Sequence, residues 1–169
     1  IGNVDPSLIA GAKKLELLQL NSAGADLYIK AGVMPKQAVL ANATGAYGLA
    51  VSEHMLGLTF DLIRRLNQYH ANQAEHVWKA MGNIISVEGS TILVLGLGDI
   101  GGDYARKVHA LGAHVIGVRR TNRNKPDYLD EQHTMDDLDM LLGRADIVAM
   151  VLPGGSATNH IMDERRLRL

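Results

Sequence analysis

One run of seven residues constrains this chain more than any other: Leu95-Gly96-Leu97-Gly98-Asp99-Ile100-Gly101, a G-x-G-x-x-G that closes the apolar stretch Thr91–Leu95. The stretch before it reads as a strand, and the segment from Ile100 to Leu111 reads as a helix stopped by Gly112. A second strand follows at His114–Val118 and a third at Ile147–Leu152, with a helix over Met135–Leu142 between them. Strand–helix–strand alternation with nearly all-apolar strands predicts an α/β fold whose parallel sheet is covered on both faces.

Placed between a strand and a helix, the glycine turn predicts dinucleotide binding. Gly96 permits the tight turn, Gly98 removes a side chain so that backbone can approach a pyrophosphate, and Gly101 allows the helix to pack closely on the strand. The N–H groups that open the helix, at Asp99 and Ile100, then face the phosphate oxygens. A P-loop is excluded, because no Lys-Ser/Thr pair follows the glycines. The end of the second strand selects the dinucleotide. NAD-specific domains carry an Asp or Glu about 20 residues on, where it accepts hydrogen bonds from the ribose; this chain has Val118-Arg119-Arg120-Thr121. The guanidinium groups of Arg119 and Arg120 cannot accept such bonds but can pair with a 2′-phosphate, and Arg123 and Lys125 add to the basic loop. NADP is therefore expected in preference to NAD.

The upstream part is organised differently. Residues 1–45 read as a short α/β piece, with a helix over Ser7–Lys14 started by Asp5-Pro6, apolar segments at Leu15–Leu20 and Ala38–Leu40, and a turn at Asn21–Asp26. From Gly48 to His70, Val51, Met55, Leu58, Leu62 and Leu66 recur at three and four, which predicts one long helix with that face packed and a bridging role between two lobes. Residues 67–87, around Trp78, show no clear period. The length of 169 residues allows one domain and a remainder. Seventeen basic against 18 acidic residues leave a charge of −1, which gives no footprint for nucleic acid or an anionic membrane. No apolar stretch nears the roughly 20 residues of a bilayer span, and no charged-then-apolar leader precedes residue 20. The absence of cysteine removes thiolate and disulfide chemistry and fits a reducing compartment. His70 and His76, six apart with no carboxylate cluster, do not read as metal ligands.

Four stretches together resemble the D-isomer-specific 2-hydroxyacid dehydrogenases: Leu18-Gln19-Leu20-Asn21-Ser22-Ala23-Gly24-Ala25-Asp26, the helix with Ser52-Glu53-His54 and Arg64-Arg65, the span Leu93–Arg120, and Ala145–Val148 through Leu152-Pro153. The resemblance implies an oxidoreductase that moves a hydride between NAD(P)H and a small 2-keto acid or D-2-hydroxy acid. Its fold would be a partial Rossmann-type sheet plus part of a flavodoxin-like substrate lobe, joined by a long helix. Residues 1–47 would belong to the substrate lobe, 48–87 to the connector and its flank, and 88–169 to the NAD(P)-binding lobe. In the family, backbone at the positions of Ala23 and Gly24 holds the substrate carboxylate, and Leu152-Pro153 passes beside the cofactor. Gly154-Gly155-Ser156-Ala157-Thr158 departs from the family's Leu-Thr-Pro-Glu-Thr, which implies a more flexible loop. The family's catalytic Arg, Glu and His all match beyond Leu169, so the chain carries none of them; His54 lies on the connector, and Arg165, Arg166 and Arg168 precede the catalytic segment. The chain thus reads as the middle of a longer protein, cytoplasmic and homodimeric, with Trp78 a candidate dimer contact and Tyr47 the one candidate for sorting substrates. A dinucleotide-sensing corepressor built on the same fold is the alternative.

Overall fold

The computed structural model describes residues 1–121 and 124–169, and these fall into two compact units, Ile1–Tyr47 and Gly48–Leu169. In the first unit, helix α1 (Pro6–Ile9) starts at Asp5, whose carboxylate accepts from the Ser7 N–H at 2.8 Å. The helix expected to reach Lys14 stops after Ile9, since Gly11 takes a left-handed φ of +88°. Strands β1 (Leu17–Gln19) and β2 (Val39–Ala41) pair in parallel, and Ile9, Leu18, Leu20 and Tyr28 form the core beside them.

The second unit holds helices α2 (Gly48–Ile63) and α3 (Leu66–Ala74), then β3 (Thr91–Leu95), α4 (Asp99–Ala110), β4 (His114–Val118), β5 (Glu131–His133), α5 (Leu138–Leu142) and β6 (Ile147–Met150). Its four strands are all parallel, in the order β5-β4-β3-β6. Alternation along β3 divides two cores. Ile92 and Val94 face Tyr104, Ala105 and Val108 of α4 together with Met55, Leu56, Phe60 and Ile63 of α2. Leu93 and Leu95 face Leu138, Leu141 and Leu142 of α5. All four of these strand residues are fully buried, worth roughly 1.5–3 kcal/mol each against exposure. This is the doubly covered Rossmann-type α/β architecture that the sequence predicts.

Three features differ from the sequence reading. The helix expected over Gly48–His70 is two helices, because Arg65 adopts φ +56° and its Nε donates to the Asn83 carbonyl at 2.9 Å. The packed face of α2 is also not the leucine face. Gly48, Ser52 and Thr59 are buried, whereas Leu58 and Leu62 are exposed, as is Leu66 at the start of α3. Small residues let α2 approach α4 closely enough for two polar contacts. Lys107 donates to the Ser52 hydroxyl at 2.8 Å, and the Thr59 hydroxyl lies 2.7 Å from that of Tyr104. Thr59 donates its proton to the Met55 carbonyl, so Tyr104 is the donor between the two hydroxyls. Burial pushes the Tyr104 phenol pKa up, against the lowering effect of that hydrogen bond. Finally, β5 was not expected at all, and the helix foreseen from Met135 begins as a 3-10 turn (Met135–Asp137) that becomes α-helical only at Leu138.

Candidate functional site

The site lies at the carboxyl ends of the parallel strands. Leu95 is in register with Val118 on one side and Met150 on the other. The chain leaves β3 through α4 to reach β4, while α5, on the opposite face, leads to β6. Such a reversal of direction opens a crevice at the strand ends, the place where open α/β sheets bind ligands.

The glycine turn fills that place, and its three glycines serve three separate ends. Gly96 has φ +97°, and a Cβ there would stand 2.5 Å from the Val151 carbonyl oxygen. A Cβ on Gly101 would overlap the Gly96 oxygen at 1.9 Å, so the first turn of α4 sits directly on the turn before it. Gly98 is different. It is exposed, its φ of −76° suits any residue, and a Cβ there would meet nothing within 4 Å. Packing within the protein therefore does not require a glycine at that position. Gly98 is also the N-cap of α4 and offers no side chain to its N–H groups. Those of Asp99, Ile100 and Gly101 therefore have no capping side chain. Asp99 is exposed and Ile100 half-buried.

The other expected residues arrive around this turn. The Gly96 N–H donates to the Val118 carbonyl at 2.9 Å, which fixes the end of β4 beside it. Arg119 follows, half-buried, with its N–H bonded to the His133 carbonyl and its Nη1 3.5 Å from Gln132 Oε1; Arg120 is exposed. Arg123 lies outside the described residues, and Lys125 donates to the Leu129 carbonyl. On the other flank the Val151 N–H donates to Leu95 at 2.8 Å. Leu152 packs against Gly96 and Pro153 is exposed. The Thr158 hydroxyl turns back onto the Pro153 carbonyl at 2.6 Å, closing the Gly154-Gly155 segment into a turn.

In the first unit, Ala23 and Gly24 lie exposed in the turn after β1. Their carbonyls are occupied: Asn42 Nδ2 donates to Ala23 at 2.7 Å and the Ser22 hydroxyl to Gly24 at 2.8 Å. The Tyr47 hydroxyl donates to the Asn21 carbonyl, so Tyr47 braces this turn. Among the described residues the N–H groups of Ala23 and Gly24 have no partner. The turn is thus held by its carbonyls, with these two N–H groups left over. Sequence reasoning missed Ser22 and Asn42; the one signal was an Asn two residues after the second short apolar segment.

Arg165 and Arg166 are held by Asp139, which they pull down to a pKa of about 2, Arg165 contributing most. Among the described residues no cluster of His, Asp and Glu could hold a metal ion, and no helix is long and apolar enough to cross a membrane.

Residues 56–169 match the family model of the D-isomer specific 2-hydroxyacid dehydrogenase NAD-binding domain, and the chain belongs to that family. It is 28% identical over 167 residues to a D-3-phosphoglycerate dehydrogenase of Mycobacterium leprae, covering 97% of this chain and 31% of the relative. To a glyoxylate reductase of Thermofilum pendens it is 26% identical, covering 98% and 50%. Among solved structures, a D-isomer specific 2-hydroxyacid dehydrogenase family protein of Aeromonas salmonicida superposes with a TM-score of 0.84 at 30% identity, covering 94% of this chain and 52% of that one. An NADPH-dependent glyoxylate/hydroxypyruvate reductase of Sinorhizobium meliloti, solved with NADP and sulfate, gives 0.77 at 26% identity, covering 92% and 48%. The chain spans from about a third to about half of the length of these curated relatives.

Proposed function

We propose that this chain is part of an NADP-dependent oxidoreductase that reduces a small 2-keto acid to the D-2-hydroxy acid. The observation that carries the reading is Gly98, a glycine that the protein's own packing does not need, set at the N-terminus of α4 at the carboxyl end of β3. Asp99, Ile100 and Gly101 would hold the pyrophosphate through backbone N–H groups, with Gly96 shaping the turn and Gly98 letting the ligand approach. Arg119 and Arg120, brought beside the turn by the Gly96–Val118 hydrogen bond, would pair with a 2′-phosphate, and Leu152 and Pro153 would border the cofactor on the β6 side. Such a dinucleotide supplies the hydride; the chain's residues orient it. Ala23 and Gly24 would accept the substrate carboxylate, their carbonyls held back by Asn42 and Ser22. The names of the relatives are those of dehydrogenases and reductases, which favours the enzyme over the dinucleotide-sensing reading.

The exposed Leu58, Leu62, Leu66 and Trp78 support a homodimer formed through this unit, and the lack of cysteine fits a cytoplasmic location. The test is to assay the full-length protein with NADPH and NADH across glyoxylate, pyruvate, hydroxypyruvate and bulkier 2-keto acids. The expected result is 2-keto-acid-dependent NADPH oxidation with a higher kcat/KM than for NADH, the preference being lost in Arg119→Ala/Arg120→Ala. A preference for NADH would contradict the cofactor reading, and no turnover of any 2-keto acid would contradict the enzyme.

A further inference from the structure

We infer that the Asp99 carboxylate sets the affinity of the dinucleotide site, holding it below what the glycine turn alone would reach. The inference rests on the dinucleotide reading above and adds to it a residue that acts against binding. Asp99 is the first residue of α4, a 12-residue helix. Its carboxylate lies over Gly48, the first residue of the 16-residue helix α2: a Cβ on Gly48 would stand 2.5 Å from Oδ1 and 2.8 Å from Oδ2. Gly48 is buried, so any side chain there would expel the carboxylate. One negative charge thus stands where the positive ends of two helix dipoles meet, a favourable arrangement in the protein without ligand. Among the described residues, no hydrogen bond or ion pair reaches the Asp99 carboxylate, and the residue is exposed. Its charge is therefore not cancelled by a cation.

The same first turn of α4 carries the N–H groups that would accept a pyrophosphate, which brings two negative charges of its own. The resident carboxylate and the arriving phosphates compete for one dipole and repel each other. Replacing Asp99 by a neutral residue leaves every backbone N–H in place and removes the repulsion. Because the pyrophosphate is common to both dinucleotides, the effect is the same for NADPH and NADH, unlike any effect of Arg119 and Arg120.

The experiment is a fluorescence titration of NADPH and of NADH into the full-length protein, comparing wild type with Asp99→Asn and Asp99→Ser at low and high salt, with melting temperature as the check on folding. Both variants are expected to bind each dinucleotide about three- to tenfold more tightly at low salt, with the gain shrinking as salt screens the charge. Variants that bind no more tightly than a binding-competent wild type would overturn this inference and leave the dinucleotide reading standing. A gain that is undiminished at high salt would also overturn it, since the cause would then be steric. A wild type that binds neither dinucleotide would overturn both.

Discussion

At the scale of single residues, three glycines of identical chemistry have unlike reasons to be there, and they separate experimentally. Gly101→Ala puts a methyl group 1.9 Å from the Gly96 oxygen, against backbone that cannot move aside. The expected outcome is a loss of about 2 kcal/mol or more in stability, read by denaturant unfolding. Stability within about 0.5 kcal/mol of wild type would refute the packing argument. The roles of Gly96 and Gly101 were legible in the sequence because spacing and flanking strand and helix signals suffice to assign them. Asn42 was not legible. Its task is to hold a carbonyl 19 positions away, and only the parallel pairing of β1 with β2 brings the two together. Arg119 and Arg120 stand between these cases, since the sequence places them at the end of β4 but the hydrogen bond from Gly96 is what sets that end beside the turn.

At the scale of elements, the sequence erred where burial does not follow hydrophobicity. Leucines at three and four mark a helix, but on α2 the side that packs is the one carrying Gly48, Ser52 and Thr59, since close approach to α4 rewards small and hydrogen-bonding residues. Strand β5 was missed for a related reason. Glu131-Gln132-His133 has no apolar period, and it is a strand because it pairs with Ile116–Val118 and because its side chains are tied down. Glu131 accepts from Arg144, from His114 and from His133, and these partners, Arg144 foremost, hold its carboxyl well below the usual carboxylate range. The folded-state pKa is thus lower than the unfolded one. The stability it contributes is fully present above an unfolded value near the ordinary 4.5 and is lost as pH falls through the folded value. Glu131→Gln should cost about 1 kcal/mol at pH 7, with the gap to wild type closing progressively below about pH 4.5. A gap of the same size at pH 3 and pH 7 would show that the network does not act through the charge.

At the scale of the molecule, the second unit leaves a good deal of apolar surface uncovered. Leu62 is 68% exposed, Trp78 fully so, and Met150 on the outermost strand β6 is 55% exposed. The proposed homodimer would cover side chains of this kind. For the proposed homodimer, Leu62→Asp combined with Trp78→Ala is expected to shift the full-length protein from dimer to monomer in light scattering. A wild type that is already monomeric would contradict it. The α/β class and the succession β3, α4, β4 around the glycine turn were readable from the apolar runs and the glycines that bound them. The boundary between the two compact units at Tyr47 and Gly48 coincides in the chain with the start of α2. The side chains that α2 buries became visible only once its partner α4 was in place, because a single sequence records which residues are apolar and not which neighbour they meet.

If the turn after β3 is shaped for a dinucleotide phosphate and not merely for a tight reversal of the chain, a methyl group at residue 98 acts on the ligand and not on the fold. NADPH titration of wild type and Gly98→Ala in the full-length protein, with melting temperature recorded alongside, separates the two. A methyl group at residue 98 meets no protein atom within 4 Å, so the expected outcome is an unchanged melting temperature and NADPH affinity weakened about tenfold or more. A Gly98→Ala protein that binds NADPH as wild type does would contradict it.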